Sequence, residues 1–159
     1  MLRQALAALL FAGLLCCSMS MAVGRDTIGY SETKGIFANH TMMSYDSAHG
    51  TQVEFIASTG RTYLLYPGNT VIVKGSWRLD RTEKSDVFNI CFRYPSNSSN
   101  PATGNAGGDW ECQIAGFYLG ALREIIPGDQ LGLSRGSEVP FVLSRARTNF
   151  TSLLRKLAQ

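Results

Sequence analysis

The chain has 159 residues, of which 45% are hydrophobic, with 15 Lys and Arg against 12 Asp and Glu for a formal net charge of +3. That length suits one ordinary domain with its own core. So slight a basic excess gives no ground for a nucleic-acid partner, which demands a cationic stripe dense enough to displace many counterions.

The N-terminus, MLRQALAALLFAGLLCCSMSMAVGRD, sets Arg3 ahead of an uninterrupted apolar run from Ala5 to Leu15, the layout of a secretory signal. Ser20 and Ala22 put small residues three and one before a cut, which predicts a signal peptide over 1–22 and cleavage between Ala22 and Val23. An uncleaved anchor is the alternative, because the charge-free stretch to Val23 approaches the roughly 20 residues of a membrane helix. The turn to Cys, Ser and Met in its second half favours cleavage. Contact with the membrane is then transient, the protein is periplasmic or secreted, and residues 23–159 form a single β-rich domain.

Along that domain, SETKGIFAN near Ser31 suits a turn or two of helix, weakened by Gly35. From Thr41 onward short β-rich runs alternate with turn residues, the pattern of an antiparallel sheet. HTMMSYD is a first strand. TQVEFIAS follows, with Val53, Phe55 and Ala57 on one face and Gln52, Glu54 and Ser58 on the other. RTYLLY is the third, closed by a reversal at Pro67, Gly68 and Asn69. TVIVKGSWRL sets Val71, Val73, Gly75, Trp77 and Leu79 on one side, with Ile72 the exception. Gly75 inside a strand marks a bulge or a close approach, read as room for the Trp77 ring to lie across its neighbour.

VFNICFRY is the fifth strand, with Phe88, Ile90, Phe92 and Tyr94 on one face and Cys91 on the other, and DWECQI the sixth. With Cys16 and Cys17 lost in the signal, Cys91 and Cys112 remain. An oxidising compartment pairs them, and two thiols with no nearby His do not make a metal site. A disulfide there pins the two strands in register. Near the C-terminus Phe150, Leu153, Leu154 and Leu157 recur at helical spacing, which predicts an amphipathic helix over 144–158 lying as a lid on the sheet. The fold class is therefore mainly β: an antiparallel sheet of about six strands, or a small open barrel, with a C-terminal amphipathic helix.

Catalytic constellations fail on inspection. GLSRG at Gly132–Gly136 matches a nucleophile elbow around Ser134, yet that motif needs a strand-to-helix turn and a downstream base, and His40 and His49 both lie upstream. Neither a zinc helix nor a calcium loop occurs. Asp109 and Glu111 share one side of a strand and imitate a paired-carboxylate site, an arrangement more often found on a solvated face. GNAGG follows a strand without opening a helix, so it cradles no phosphate. No metal and no cofactor is expected, and no enzymatic activity.

GRTYLLYPGNT, GSWRL and ICFRYPSNSSNPATGNAGGDWEC together resemble short exported proteobacterial proteins of unknown function, in which a YPGN turn, a G-x-W strand and an ICF-to-WEC cysteine hairpin recur. The likeness covers roughly residues 39 to 114 and extends more loosely to the domain-of-unknown-function family numbered 995. It implies an envelope or secreted location and a compact β domain, and it transfers no catalytic residues. KGSWRL is also similar to the glycine-tryptophan strand of lipocalin-like barrels and of small periplasmic protease inhibitors, although in lipocalins that strand stands near the first position and here it is the fourth.

The sequence thus predicts a non-enzymatic envelope or secreted binding protein, its partner an unknown protein or small ligand of the envelope. The contact surface is the loop Pro95 to Gly108 with Arg93, Tyr94 and Trp110 at its rim, because Tyr, Trp and Arg concentrate binding energy. Two alternatives stand beside it: an inhibitor of a secreted lysozyme or protease, with the stapled loop in the hydrolase cleft, and a lipocalin-like carrier of a small ligand.

Overall fold

The computed structural model describes residues 29–83 and 86–159; the predicted signal segment lies outside them. The protein is mainly β, a seven-stranded antiparallel sheet curled into a half-barrel, with a C-terminal helix. Helix α1 (Tyr30–Phe37) leads into β1 (His40–Asp46), β2 (Gly50–Ile56), β3 (Arg61–Leu65), β4 (Val73–Arg81), β5 (Phe88–Arg93) and β6 (Glu111–Ile114). Helix α2 (Ala115–Ala121) then carries the chain to β7 (Leu122–Pro127), and α3 (Phe150–Leu157) ends it. The strand order is β6-β5-β4-β3-β2-β1-β7, so six strands form a meander and the seventh pairs with β1.

The link from β6 to β7 explains the curl. A flat sheet of seven strands would hold its edges about 29 Å apart, six spacings of ~4.8 Å. Yet α2 joins one edge directly to the other, and its seven residues advance only about 10 Å. The edges must therefore bend toward each other, with α2 bridging the gap. The two edge strands do not pair, so the barrel stays open.

Both faces of the sheet are covered. On the convex face Met43, Val53, Phe55, Leu65 and Ile72 pack against Leu131, Leu133, Leu143, Phe150 and Leu153 from the C-terminal segment. The concave face is filled at one end by Phe37 of α1, which packs with Met42, Ile56, Trp77, Leu79, Ile90 and Phe92, and by Tyr118 and Leu119 of α2. Each buried aliphatic or aromatic side chain of this kind contributes about 1.5–3 kcal/mol.

The seventh strand and α2 depart from the sequence reading, which has six strands. AGFYLGA runs into LREIIP with no turn residue between them, and Arg123 and Glu124 interrupt the apolar run, so neither element carries a boundary signal. The C-terminal helix lies on the sheet as predicted but begins at Phe150 rather than at 144. The Leu143 carbonyl accepts from the Gly68 N–H and the Ala146 carbonyl from Thr51 Oγ1, so this stretch is committed to the sheet's convex side. Asn149 then starts the helix by accepting the Ser152 N–H on its side chain. Val71, expected in the fourth strand on the same side as Val73, is exposed. It lies outside β4 and pairs with Glu138 in an isolated bridge.

Cys91 on β5 stands directly opposite Cys112 on β6, with Cα atoms 4.0 Å apart, and the two are joined by a disulfide. The pair lies on the convex side, Cys91 buried and Cys112 exposed like the rest of its edge strand, Glu111–Ile114. Closing this loop of sequence separation 21 limits the unfolded chain and should stabilise the fold by about 3 kcal/mol. Replacing both cysteines by Ala is expected to lower stability by that amount, a fall of roughly 10 °C in Tm, read by calorimetry; an unchanged Tm would show that β6 holds its place without the clamp.

Candidate functional site

The concave face is only partly filled. Beyond the Phe37 and Trp77 cluster it opens into a cavity of about 360 Å³, walled by the sheet, by α2 and by the loop after β5. This falls within the size range of ligand pockets.

Cross-strand register builds its floor. Met42 on β1 faces Glu54 on β2, which faces Leu64 on β3, so a single row of the pleat carries an acid between two apolar side chains. Glu54 is only 7% exposed. A carboxyl so placed needs partners, since an unpaired buried polar group costs several kcal/mol. Three hydroxyls from three other elements supply them. Thr62 Oγ1 of β3 donates to Glu54 Oε1 at 2.6 Å, the Tyr94 hydroxyl donates to the same oxygen, and the Tyr118 hydroxyl of α2 reaches Oε2 at 3.4 Å.

Gly75 makes this possible. It adjoins the Ser76–Arg93 pair, and a methyl group there would lie 2.8 Å from the Tyr94 ring, 2.8 Å from the Arg93 carbonyl oxygen and 3.0 Å from Thr62. The close approach predicted at this glycine is therefore real, but the ring that uses it is Tyr94. Trp77 instead turns into the cluster around Phe37 and donates its indole N–H to the Ala57 carbonyl at 2.7 Å.

Burial raises the Glu54 carboxyl above its ordinary value, and the hydrogen bonds from Thr62, Tyr94 and Tyr118 offset that shift only in part. The Tyr94 and Tyr118 hydroxyls are pushed well above the usual phenol range, first by burial and then by the neighbouring Glu54 charge, so both stay protonated as donors.

The loop Pro95 to Gly108 is a small hairpin in its own right. Ser99 bridges Ala106, the Gly107 N–H donates to the Ser98 carbonyl, and the Gly108 N–H donates to the Tyr94 carbonyl. Ser98, Ser99, Asn100 and Asn105 turn toward the cavity and form its outer wall.

The rim residues expected from sequence are split between two faces. Tyr94 points into the cavity. Arg93 and Trp110 stand on the convex side, where the Arg78 and Arg93 guanidinium carbons lie 4.2 Å and 4.7 Å from the centre of the Trp110 ring. Arg78 also pairs with Asp80 at 2.8 Å. Asp109 and Glu111 both line the cavity, as does His49, whose Nδ1 lies 3.0 Å from the Tyr66 hydroxyl. Ser134 of the GLSRG motif sits in an exposed turn and donates to Asp129 at 2.7 Å. Its neighbours are turn groups, with no base.

Glu54 and Tyr118 are the site residues that sequence reasoning missed. The alternation in TQVEFIAS assigns Glu54 to the face opposite Val53 and Phe55, a face that would be solvated in a sheet covered on one side only. The available signal was the adjacent pair Phe55 and Ile56, apolar on both faces, which marks a strand buried front and back.

Comparison with known proteins gives no match: no family model, no curated protein and no solved structure matches this chain. Among the described residues no helix is long and apolar enough to cross a membrane.

The raised carboxyl makes stability depend on pH in a definite sense. The native state holds the Glu54 proton more tightly than the unfolded chain does. The stability it contributes is therefore fully present below the ordinary carboxylate value and is lost as pH rises through the raised native value. Urea unfolding at several pH values between about 4 and 8 should show Glu54→Gln gaining on the wild type as pH rises. A constant difference across the range would mean that Glu54 titrates like a surface carboxyl.

Proposed function

We propose that this is an exported, non-enzymatic binding protein of the periplasm or the secreted fraction, and that it carries a small ligand in the concave cavity in the manner of a lipocalin-like carrier. The observation that carries the reading is the preformed pocket: a cavity of about 360 Å³ whose floor holds a buried carboxyl fixed by hydroxyls from β3, α2 and the end of β5. Its lining sets apolar side chains such as Met42, Leu64, Val73 and Phe92 beside hydroxyls, amides and carboxylates, a mixture that suits a small molecule with both an apolar body and a polar group. The loop Pro95 to Gly108 then serves as a wall of the pocket. This favours the carrier over an inhibitor that inserts the loop into a hydrolase cleft. The disulfide fits an oxidising compartment, and the likeness to exported proteobacterial proteins points the same way.

The test is retention of a ligand. Protein exposed to envelope extract and examined by native mass spectrometry should carry a small non-covalent adduct. Ala121→Trp, which fills the cavity from an exposed position on α2, should remove the adduct while leaving the Tm unchanged. Wild-type protein that stays free of any adduct, or an adduct undiminished in the tryptophan variant, would overturn the carrier reading.

A further inference from the structure

We propose that the cavity takes an organic cation, an amine or quaternary ammonium on an apolar body, with the Glu54 carboxylate as its counter-ion. This rests on reading the cavity as a ligand site and goes on to name the chemistry that fits it.

The first ground is a local reversal of charge. The chain as a whole is +3, yet among the described residues lining the cavity there is no Lys or Arg, whereas Asp46, Glu54, Asp109 and Glu111 all contribute to it. Asp46 is partly committed, since its Oδ1 accepts the Ala48 and His49 N–H groups that turn the β1–β2 hairpin. Arg145 lies at that same rim, bonded to the Ala48 carbonyl and felt by the Tyr66 hydroxyl. Glu54, in the floor, and Glu111, at the exposed edge strand, both act on Tyr94, and among the described lining residues no Lys or Arg offsets them. An anion entering here would meet uncompensated like charge, and a neutral ligand would bring no counter-charge to the carboxylates.

The second ground is the geometry of the Glu54 carboxyl. Its Oε1 is occupied by Thr62 and Tyr94, but Oε2 receives only the 3.4 Å contact from Tyr118. Ionised carboxylates accept about four hydrogen bonds. Oε2 therefore keeps room for a short charge-assisted bond from an ammonium N–H.

The third is the lining around it. Phe92, Tyr94 and Tyr118 supply ring faces, which attract ammonium groups by cation–π interaction. Tyr45 at the rim shows the same chemistry, with the Arg147 guanidinium carbon 4.4 Å from its ring centre. Met42, Leu64 and Val73 offer apolar surface for the ligand's body. A bare metal ion fits less well, since it wants several oxygen ligands converging on one point. Among the described residues the one close trio of potential ligands is Asp80, Cys91 and Cys112, whose thiols are oxidised and which lie on the convex side.

Three probes of one shape separate the possibilities: phenethylamine, 2-phenylethanol and phenylacetate, titrated calorimetrically into the purified protein at neutral pH. Phenethylamine should bind at least ~10-fold more tightly than the alcohol, and phenylacetate more weakly than either. Glu54→Gln should erase the preference for the amine. Should that variant fold poorly, Glu111→Gln, an exposed position, should weaken the amine several-fold and leave the alcohol unchanged. Equal or tighter binding of the alcohol or the acid, lost in Ala121→Trp, would overturn the cation assignment while leaving the carrier reading intact. Failure of all three probes to bind, or amine binding that survives Ala121→Trp, would also overturn the assignment.

Discussion

A carboxyl group almost sealed from water sits on the inner face of the curled sheet, and the groups that satisfy it come from every side of the curl. Glu54 belongs to β2, Thr62 to the neighbouring strand, Tyr94 to the end of β5 and Tyr118 to the helix that joins the two edges. If the sheet flattened, Tyr94 and Tyr118 would move away from Oε1 and Oε2 and leave the acid desolvated without donors, at a cost of several kcal/mol. The network thus penalises flattening from inside, while the short span of α2 limits the separation of the edges from outside. These two constraints keep a cavity open where an apolar residue at position 54 would allow the face to collapse.

The two faces divide the work. The convex face is closed by the C-terminal segment, irregular up to Asn149 and helical beyond it, whose Leu131, Leu133, Leu143, Phe150 and Leu153 complete a hydrophobic core. The concave face carries its own smaller core around Phe37 and Trp77 and leaves the remainder open. The disulfide and the stack of Arg78 and Arg93 on Trp110 both lie on the outer side of β5 and β6. They secure the strand from which the pocket loop springs. In this arrangement the stapled hairpin is a support, and the chemistry lies on the opposite side of the same strands.

Much of the fold was legible because it is local. The first five strands were readable within a few residues from turn chemistry and β-rich runs, and the cysteine pairing followed from the number of thiols left after the predicted cleavage. The lid role of the terminal helix followed from its apolar stripe, although its start did not. What escaped is what depends on tertiary partners. Glu54 reads as a solvated residue because alternation assumes one wet face; the C-terminal cover buries the Val53 and Phe55 side, while the curl brings Tyr94 and Tyr118 over Glu54 on the other. Tyr118 lies in AGFYLGA, which has no cap and no amphipathic stripe, and its role exists only because β6 and β7 are brought near each other. Gly75 was visible as a point of close approach, but the sequence does not say which of two neighbouring aromatic rings takes the space.

The Glu54 carboxyl and the hydroxyls around it are energetically coupled and not merely adjacent. The most direct measurement is a double-mutant cycle on unfolding free energy at neutral pH with Glu54→Gln, Tyr94→Phe and the pair. A coupling of about 1–3 kcal/mol is predicted, as expected for a buried hydrogen bond to a carboxyl group. Additivity of the two substitutions within about 0.3 kcal/mol would contradict the account, because it would mean that the acid and the tyrosine hold their places independently.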